Sequence, residues 1–158
     1  MIPDARPAAI PVAIALGSNL GDRLGHLQWA IDQLRRDLAD LRVSTIIETA
    51  PVDVPDEQPP FLNAVVIGRY DKTADELLHC LHVLEAAQGR RRTHARAART
   101  LDLDLILFGD LVINKPGLEV PHPRFRERQF VLEPLAEIAA DWIDPVSGKT
   151  IQELRAAI

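Results

Sequence analysis

The stretch that decides the fold is RTLDLDLILFG, at residues 99–109. Successive side chains alternate across a β-strand, and the pattern therefore predicts one face made of leucines, Leu101, Leu103, Leu105 and Leu107. The other face would carry Asp102, Asp104, Ile106 and Phe108. A leucine face requires a covering layer of helices, whereas the opposite face would present two carboxylates about 7 Å apart.

The two aspartates are candidate metal ligands. Like charges this close repel each other unless a cation or arginines lie between them, and Mg²⁺ completes an oxygen shell with substrate phosphates. Taken alone, an Asp-x-Asp pair on a strand is more often a solvated structural pair. The residues just before the pair favour a functional role, because they include five arginines: Arg90, Arg91, Arg92, Arg96 and Arg99. Such a run of guanidinium groups suits a polyphosphate.

Composition narrows the class of protein. At 158 residues the chain fits a single domain over 1–158, with a loose N-terminal arm over 1–11. The net charge of −5 disfavours a nucleic-acid partner, and no apolar run approaches the ~20 residues that would span a membrane. Cys80 is the only cysteine, which rules out an internal disulfide and fits a cytoplasmic setting. We expect a monomer.

The order of predicted elements indicates the fold. Strands are expected at 12–16, 43–49, 61–70 and 101–108, and helices at 24–38 and from the Thr73 capping box to Gly89. This βαββαβ order predicts a ferredoxin-like α+β fold, with helices on one face of a mainly antiparallel sheet. A hairpin turning at 109–110, a helix over 130–138 and a short helix from Thr150 would follow. The open face of the sheet would carry both aspartates, although RNA-binding and metal-binding domains share this architecture.

Joined to the arginine run, the RTLDLD motif resembles the 6-hydroxymethyl-7,8-dihydropterin pyrophosphokinase family. Further matching motifs are ALGSNLGD at 15–22, ETAP at 48–51, FLNA at 61–64, ExxQGRxR at 85–92 and VPH at 120–122. Each motif is weak alone, but the set in this order is specific and covers nearly everything from Ile14 onward.

The resemblance implies a reaction. The enzyme would transfer pyrophosphate from ATP to the hydroxymethyl group of 6-hydroxymethyl-7,8-dihydropterin and release AMP, a step of folate biosynthesis. Asp102 and Asp104 would hold two Mg²⁺ ions, which neutralise the phosphates, fix the in-line geometry and acidify the attacking alcohol. Arg90, Arg92 and Arg99 would act in catalysis, from a loop that closes over the nucleotide.

The resemblance also implies the binding residues. ATP would be bound by Glu85, Arg92, Arg99, His122 and Arg128. The pterin would be bound by Thr49, Val52, Phe61, Asn63 and Phe130, with the two phenylalanines stacking on the ring and Asn63 meeting its edge. Without the resemblance, the phenylalanines would be read as core packing and the histidine between two prolines as structural.

The chain departs from the family pattern in the arginine loop, where residues 96–99 are one residue short and lack a tryptophan. Pro123 also stands where tyrosine is frequent. The shortened loop supports one alternative, a non-catalytic pterin- or nucleotide-binding relative. A second alternative is another two-metal nucleotidyl- or phosphotransferase, which can also hold two Mg²⁺ on strand aspartates. AMP formed from ATP only when the pterin is present would distinguish the family reaction from both.

Overall fold

The structure is a computed structural model that describes residues 9–50, 58–89 and 100–158. Its strands are β1 Ile10–Ser18, β2 Ala39–Val43, β3 Ile47–Thr49, β4 Phe61–Tyr70, β5 Asp102–Phe108, β6 Ile113–Lys115 and β7 Leu118–Val120. Its α-helices are α1 Arg23–Asp37, α2 Ala74–Ala87, α3 Gln129–Ala139 and α4 Ile151–Ala156, with a 3₁₀ turn at Phe125–Glu127. Over these described ranges no helix has the length and apolar character needed to cross a bilayer.

The main sheet has the strand order β2-β4-β1-β5, and β3 also pairs with β4. All of these pairings are antiparallel. Helices α1 and α2 pack together on one face, through leucines such as Leu27, Leu34, Leu77 and Leu81. This is the ferredoxin-like α+β arrangement that the element order predicts.

The strand predicted over 43–49 is divided into β2 and β3, and Ser44 explains the break. The Ser44 N–H donates to Val65 O at 2.9 Å, while the Ser44 hydroxyl accepts the Val65 N–H at 2.9 Å. The Ser44 hydroxyl thus takes the place of a backbone carbonyl in the strand pairing. The chain can change direction here while the buried Val65 N–H keeps an acceptor.

β5 follows the predicted alternation only as far as Leu105. Ala13 pairs with Leu107 and Ile14 with Leu105, which leaves Ile106 as a β-bulge. Beyond the bulge Leu107 lies on the face opposite the other leucines, and Phe108 turns toward α1 and α2. The predicted faces of Leu107 and Phe108 are therefore wrong, because one extra residue in a strand reverses the faces of all that follow.

The face of the sheet opposite α1 and α2 is partly covered by helices. The prediction that this face is open is therefore wrong in part. Helices α3 and α4 pack there in a second apolar cluster, which includes Val65, Ile106, Phe125, Leu132 and Leu135. The second cluster does not include the residues at the end of the sheet where β1 finishes and β4 and β5 begin. The aspartates of β5 are at this end.

The hairpin and the start of the first strand differ from their predictions. The hairpin does not turn at Gly109–Asp110; it is formed by β6 and β7, with Gly117 at φ 84° in the turn between them. Ile10 and Pro11, predicted within the loose arm, belong to β1, and residues 1–8 lie outside the described residues. The helix predicted over 130–138 is α3, and the capping box of Thr150 and Glu153 begins α4.

We predict that Gly68→Ala destabilises the fold. An added Cβ would lie 2.9 Å from Leu38 Cβ and 3.2 Å from Ala39 O, where β2 crosses β4. Overpacking of this kind costs about 1–3 kcal/mol, which urea unfolding would measure. Arg69→Ala, on the exposed neighbouring side chain, is the control and should change the free energy of unfolding by less than about 0.5 kcal/mol. A Gly68→Ala variant as stable as the parent would contradict this packing.

Candidate active site

A cleft of about 800 Å³ opens beside the first half of β5. Its walls come from α2, the β6–β7 hairpin and the segment that follows β7. The polar and charged side chains that line it are His82, Glu85, Asp102, Asp104, Asn114, Lys115, Glu119, His122 and Arg128. The cleft is therefore a strongly polar site with charges of both signs, which suits a charged ligand better than an apolar one.

Asp102 and Asp104 lie on the same face of β5, as predicted, and both line the cleft as half-buried side chains. The Arg128 guanidinium approaches this pair, with Nη1 3.9 Å from Asp104 Oδ2. Where the structure describes the chain, no three His, Cys, Asp or Glu side chains gather into a metal site. Two carboxylates nevertheless fit Mg²⁺, which is commonly held by one or two carboxylates, waters and substrate phosphates.

Glu85 supports the strand that carries the aspartates. It is 5% exposed, and its Oε2 accepts the backbone N–H of Leu103 at 2.9 Å. Because β5 is an edge strand of the sheet, this bond satisfies a donor that lies between Asp102 and Asp104. The structure thus places Glu85 at the cleft, and its contact with a nucleotide stays a prediction.

His122 is held by its backbone and by one ring nitrogen. Its N–H donates to the carbonyl of the bulged Ile106 at 2.9 Å, and its Nδ1 accepts the Arg124 N–H at 3.1 Å. Burial, together with the positive charges of Arg128 and Arg124, lowers the pKa of His122 to about 4 against the opposing effect of Asp102. At neutral pH the ring is therefore uncharged, and with Nδ1 accepting, its proton is on Nε2, where it can be donated to an anion.

Gly17, Phe61 and Asn63, here called the floor, lie on β1 and β4 next to the cleft residue Asp102. Gly17 pairs with Asn63 on one side and with Asp102 on the other. A Cβ at Gly17 would lie 3.3 Å from Asn63 Oδ1 and 3.5 Å from the ring of Phe61. The Asn63 amide, 6% exposed, donates to Thr49 Oγ1 at 2.6 Å, which fixes its orientation. A larger residue at this position would crowd both side chains, so glycine allows Asn63 and Phe61 to lie close against β1.

Phe130 projects from the first turn of α3 and is 36% exposed. The Arg128 guanidinium carbon lies 5.7 Å from the centre of its ring. A phenylalanine that is exposed to this extent is not part of the core, so core packing does not explain Phe130. Of the other predicted site residues, Val52, Arg90, Arg92 and Arg99 lie outside the described residues.

Several residues at the site are not among those predicted from the sequence. Gly17 could have been found from the sequence, since a glycine inside a strand often marks the close approach of a ligand or backbone. His82 and the hairpin residues Asn114, Lys115 and Glu119 carry no local signal of this kind. Lys115 reaches the cleft because the hairpin folds over α2, where its Nζ contacts Asp75 Oδ2 at 3.0 Å.

Comparison with known proteins decides the family. A family model described as 7,8-dihydro-6-hydroxymethylpterin-pyrophosphokinase (HPPK) matches residues 13–140. The chain belongs to the HPPK family. The resemblance that rests on the RTLDLD and arginine motifs is thereby confirmed.

Individual relatives agree with this assignment. The chain is 42% identical over 143 residues to a 2-amino-4-hydroxy-6-hydroxymethyldihydropteridine pyrophosphokinase of Synechocystis, covering 89% of this chain and 72% of the relative. It is 40% identical to a folate synthesis bifunctional protein, mitochondrial, of Arabidopsis thaliana, covering 84% of this chain but only 24% of that protein. The crystal structure of wild-type Plasmodium falciparum HPPK-DHPS matches with a TM-score of 0.73 at 13% identity, over 98% of this chain and 45% of that one, which shows the shared fold.

We predict that the His122 ring stays neutral well below the usual range for histidine. In protein free of nucleotide and divalent cations, NMR titration of the imidazole nitrogens should give a midpoint near pH 4, because burial and Arg128 disfavour the cation. Spectra of His122→Gln would identify the signal. A midpoint near 6.5 would show that the ring is more hydrated than its position in the cleft indicates.

Proposed function

We propose that this HPPK family member transfers the pyrophosphoryl group of ATP to the hydroxymethyl oxygen of 6-hydroxymethyl-7,8-dihydropterin and releases AMP, as a step of folate biosynthesis. One observation carries the proposal. The carboxylates of Asp102 and Asp104 lie in a cleft with Arg128 and the neutral His122, directly beside the glycine floor at Gly17. A triphosphate bound in the cleft would therefore lie next to a pterin bound at the floor.

The cleft would bind the nucleotide. Arg128 supplies a positive charge beside Asp104, and the Nε2–H of His122 supplies a neutral donor to a phosphate oxygen. Glu85 holds the backbone of Leu103 and so keeps both aspartates facing the cleft. The roles of Arg90, Arg92 and Arg99 in catalysis and ATP binding stay predictions from the resemblance.

Asp102 and Asp104 would hold Mg²⁺, and two ions are proposed. When bound with ATP, such ions neutralise phosphate charge, align the triphosphate and favour loss of the proton from the attacking alcohol. The half-exposed carboxylates leave room for waters and phosphate oxygens to complete the coordination.

The floor at Gly17 would bind the pterin. Phe61 and Phe130 are the aromatic surfaces on which the ring would stack, and the amide of Asn63, oriented by Thr49, would meet the ring edge. Val52 is proposed as a further backbone contact from the resemblance alone. A site for the acceptor next to the phosphates is what transfer requires, since proximity accounts for a large part of the rate.

The bond changes follow from the two substrates. The hydroxymethyl oxygen attacks the β-phosphorus, a new O–P bond forms, and the bond from the β-phosphorus to the oxygen bridging to the α-phosphorus breaks. AMP leaves with that bridging oxygen, and the hydroxyl proton passes to solvent. Arg128 and His122, which both line the cleft, would stabilise the charge that develops on the phosphate oxygens.

The proposed partners are the two small-molecule substrates. A monomeric state, a cytoplasmic location and the lack of nucleic-acid or membrane partners stay predictions from composition. A single domain over 1–158 is likewise proposed, because in the described residues the helices pack on both faces of one five-stranded sheet.

We predict that Asp102→Asn and Asp104→Asn each abolish AMP formation while the fold is kept. Both side chains are half-buried at the cleft, so an isosteric amide should fit while losing the charge that binds Mg²⁺. Chromatography of AMP and ADP, with ATP, Mg²⁺ and the reduced pterin alcohol, measures the loss. Asp110→Asn, at an exposed turn after the same strand, is the matched control and should retain full activity. Retained turnover in either cleft variant would contradict the metal assignment, and ADP as product would contradict the reaction.

We also predict a selective effect of the floor residues. Asn63→Ala should raise the KM for the pterin about 10- to 100-fold, as expected for a lost buried hydrogen-bonding partner, with the KM for ATP nearly unchanged. Thr49→Val should raise the pterin KM less, because the amide stays but loses its orienting partner. Thr45→Val removes a similar hydroxyl, which contacts Glu137 instead, and serves as the control. A parallel rise in both KM values would argue against a separate pterin floor.

A further inference from the structure

The arginines at 124, 126 and 128 have three different environments. Arg124 is exposed, with Glu127 3.8 Å away. Arg128 points to the cleft, where it approaches Asp104. Arg126 instead contacts Asp144, in the turn between α3 and α4. Because its guanidinium is engaged there, Arg126 is not available as a ligand-binding group, and its part in the site must be indirect.

The Arg126–Asp144 contact is a bidentate ion pair between a partly exposed guanidinium and a buried carboxylate. Arg126 Nη2 lies 2.8 Å from Asp144 Oδ1, and its Nε bonds to Oδ2 of the same carboxylate, which has no exposed side-chain surface. The carboxylate also accepts the Val146 N–H at 3.0 Å and the Ser147 hydroxyl at 2.7 Å. Burial raises the pKa of Asp144, but the bonds from Arg126, Ser147 and Val146 outweigh this and lower it to about 2. The pair therefore stays charged and its geometry is fixed from several directions.

The pair fixes the short segment that carries two cleft residues. Arg126 lies in the 3₁₀ turn, four residues after His122 and two before Arg128. Its neighbour Phe125 is fully buried in the second apolar cluster, and the Arg126 guanidinium carbon lies 4.7 Å from the centre of that ring. The turn is thus attached to the α3–α4 layer by one apolar and one ionic contact. Its two ends are left facing the cleft.

We infer that Arg126 and Asp144 are positioning residues for nucleotide binding, because their bidentate pair orients the turn that presents His122 and Arg128 to the cleft. Neither residue of the pair is among the described residues that line the cleft. The inference rests on the proposed function, in which His122 and Arg128 contact the triphosphate. A site whose supporting groups are lost becomes loose, and small displacements of charged donors weaken binding strongly.

The test measures binding of α,β-methylene-ATP with Mg²⁺ by calorimetry, beside the KM values for ATP and pterin. Arg126→Met and Asp144→Asn should each raise the nucleotide Kd and the KM for ATP about tenfold, and the pterin KM should stay within twofold. The double variant should resemble either single variant, because the two side chains act as one unit. Arg126→Lys keeps the positive charge, so it should fold even if Arg126→Met does not. Because lysine lacks the planar bidentate group, this variant should raise the nucleotide Kd about threefold.

Two reference variants separate the outcomes. Arg155→Met breaks an exposed pair with Glu133 in the same α3–α4 layer and should leave both KM values unchanged. Arg128→Ala tests the proposed function itself and should raise the nucleotide Kd at least as much as Arg126→Met. If Arg128→Ala weakens binding while folded Arg126→Met and Arg126→Lys stay within twofold of wild type, the positioning role is overturned and the proposed function stands. An unchanged Kd for Arg128→Ala overturns the nucleotide role of Arg128 and the inference with it.

Discussion

The alternation of leucine and aspartate on β5 is the constraint on which the site depends. Leu101, Leu103 and Leu105 are buried against α1 and α2, and this fixes Asp102 and Asp104 on the other face of the strand. Each aspartate is thus placed by the burial of its neighbours. The bond from Glu85 to the Leu103 N–H adds a second restraint at the sheet edge. Two like charges can be held side by side because the apolar burial behind them stabilises the strand.

The bulge at Ile106 ends this alternation and connects the strand to the rest of the site. Beyond it, Leu107 joins the cluster under α3 and α4. The Ile106 carbonyl accepts the N–H of His122, which brings the segment after β7 against the aspartate strand. One irregular residue therefore separates the half of β5 that lines the cleft from its buried half, and His122 bonds to the strand at the boundary. The ion pair of Arg126 and Asp144 is a second contact of the same segment, with the turn between α3 and α4.

Much of the architecture could be predicted because it depends on local periodicity. The helical spacing of Leu27, Ile31 and Leu34 and the capping residues Thr73 and Thr150 indicate elements that the structure contains. The predictions that fail depend on contacts between distant residues. Ser44 divides a strand through a bond with Val65, and the pairing partner of β6 is β7 although Gly109 offers an earlier turn. At the site, the sequence motifs indicate Asp102, Asp104, His122 and Arg128, whereas Lys115 and Glu119 enter the cleft only through the fold of the hairpin.

The sequence by itself determined the family, the order of strands and helices, and which residue types the chemistry would use. Those properties follow from spacing along the chain, which folding does not change. Tertiary structure alone decided that the second sheet face is partly covered, that His122 is neutral and that Arg126 pairs with Asp144. The physical reason is that burial and charge pairing are set by residues far apart in the chain, here 18 residues for Arg126 and Asp144. No local pattern of residues specifies such a pair until the fold has brought its members together.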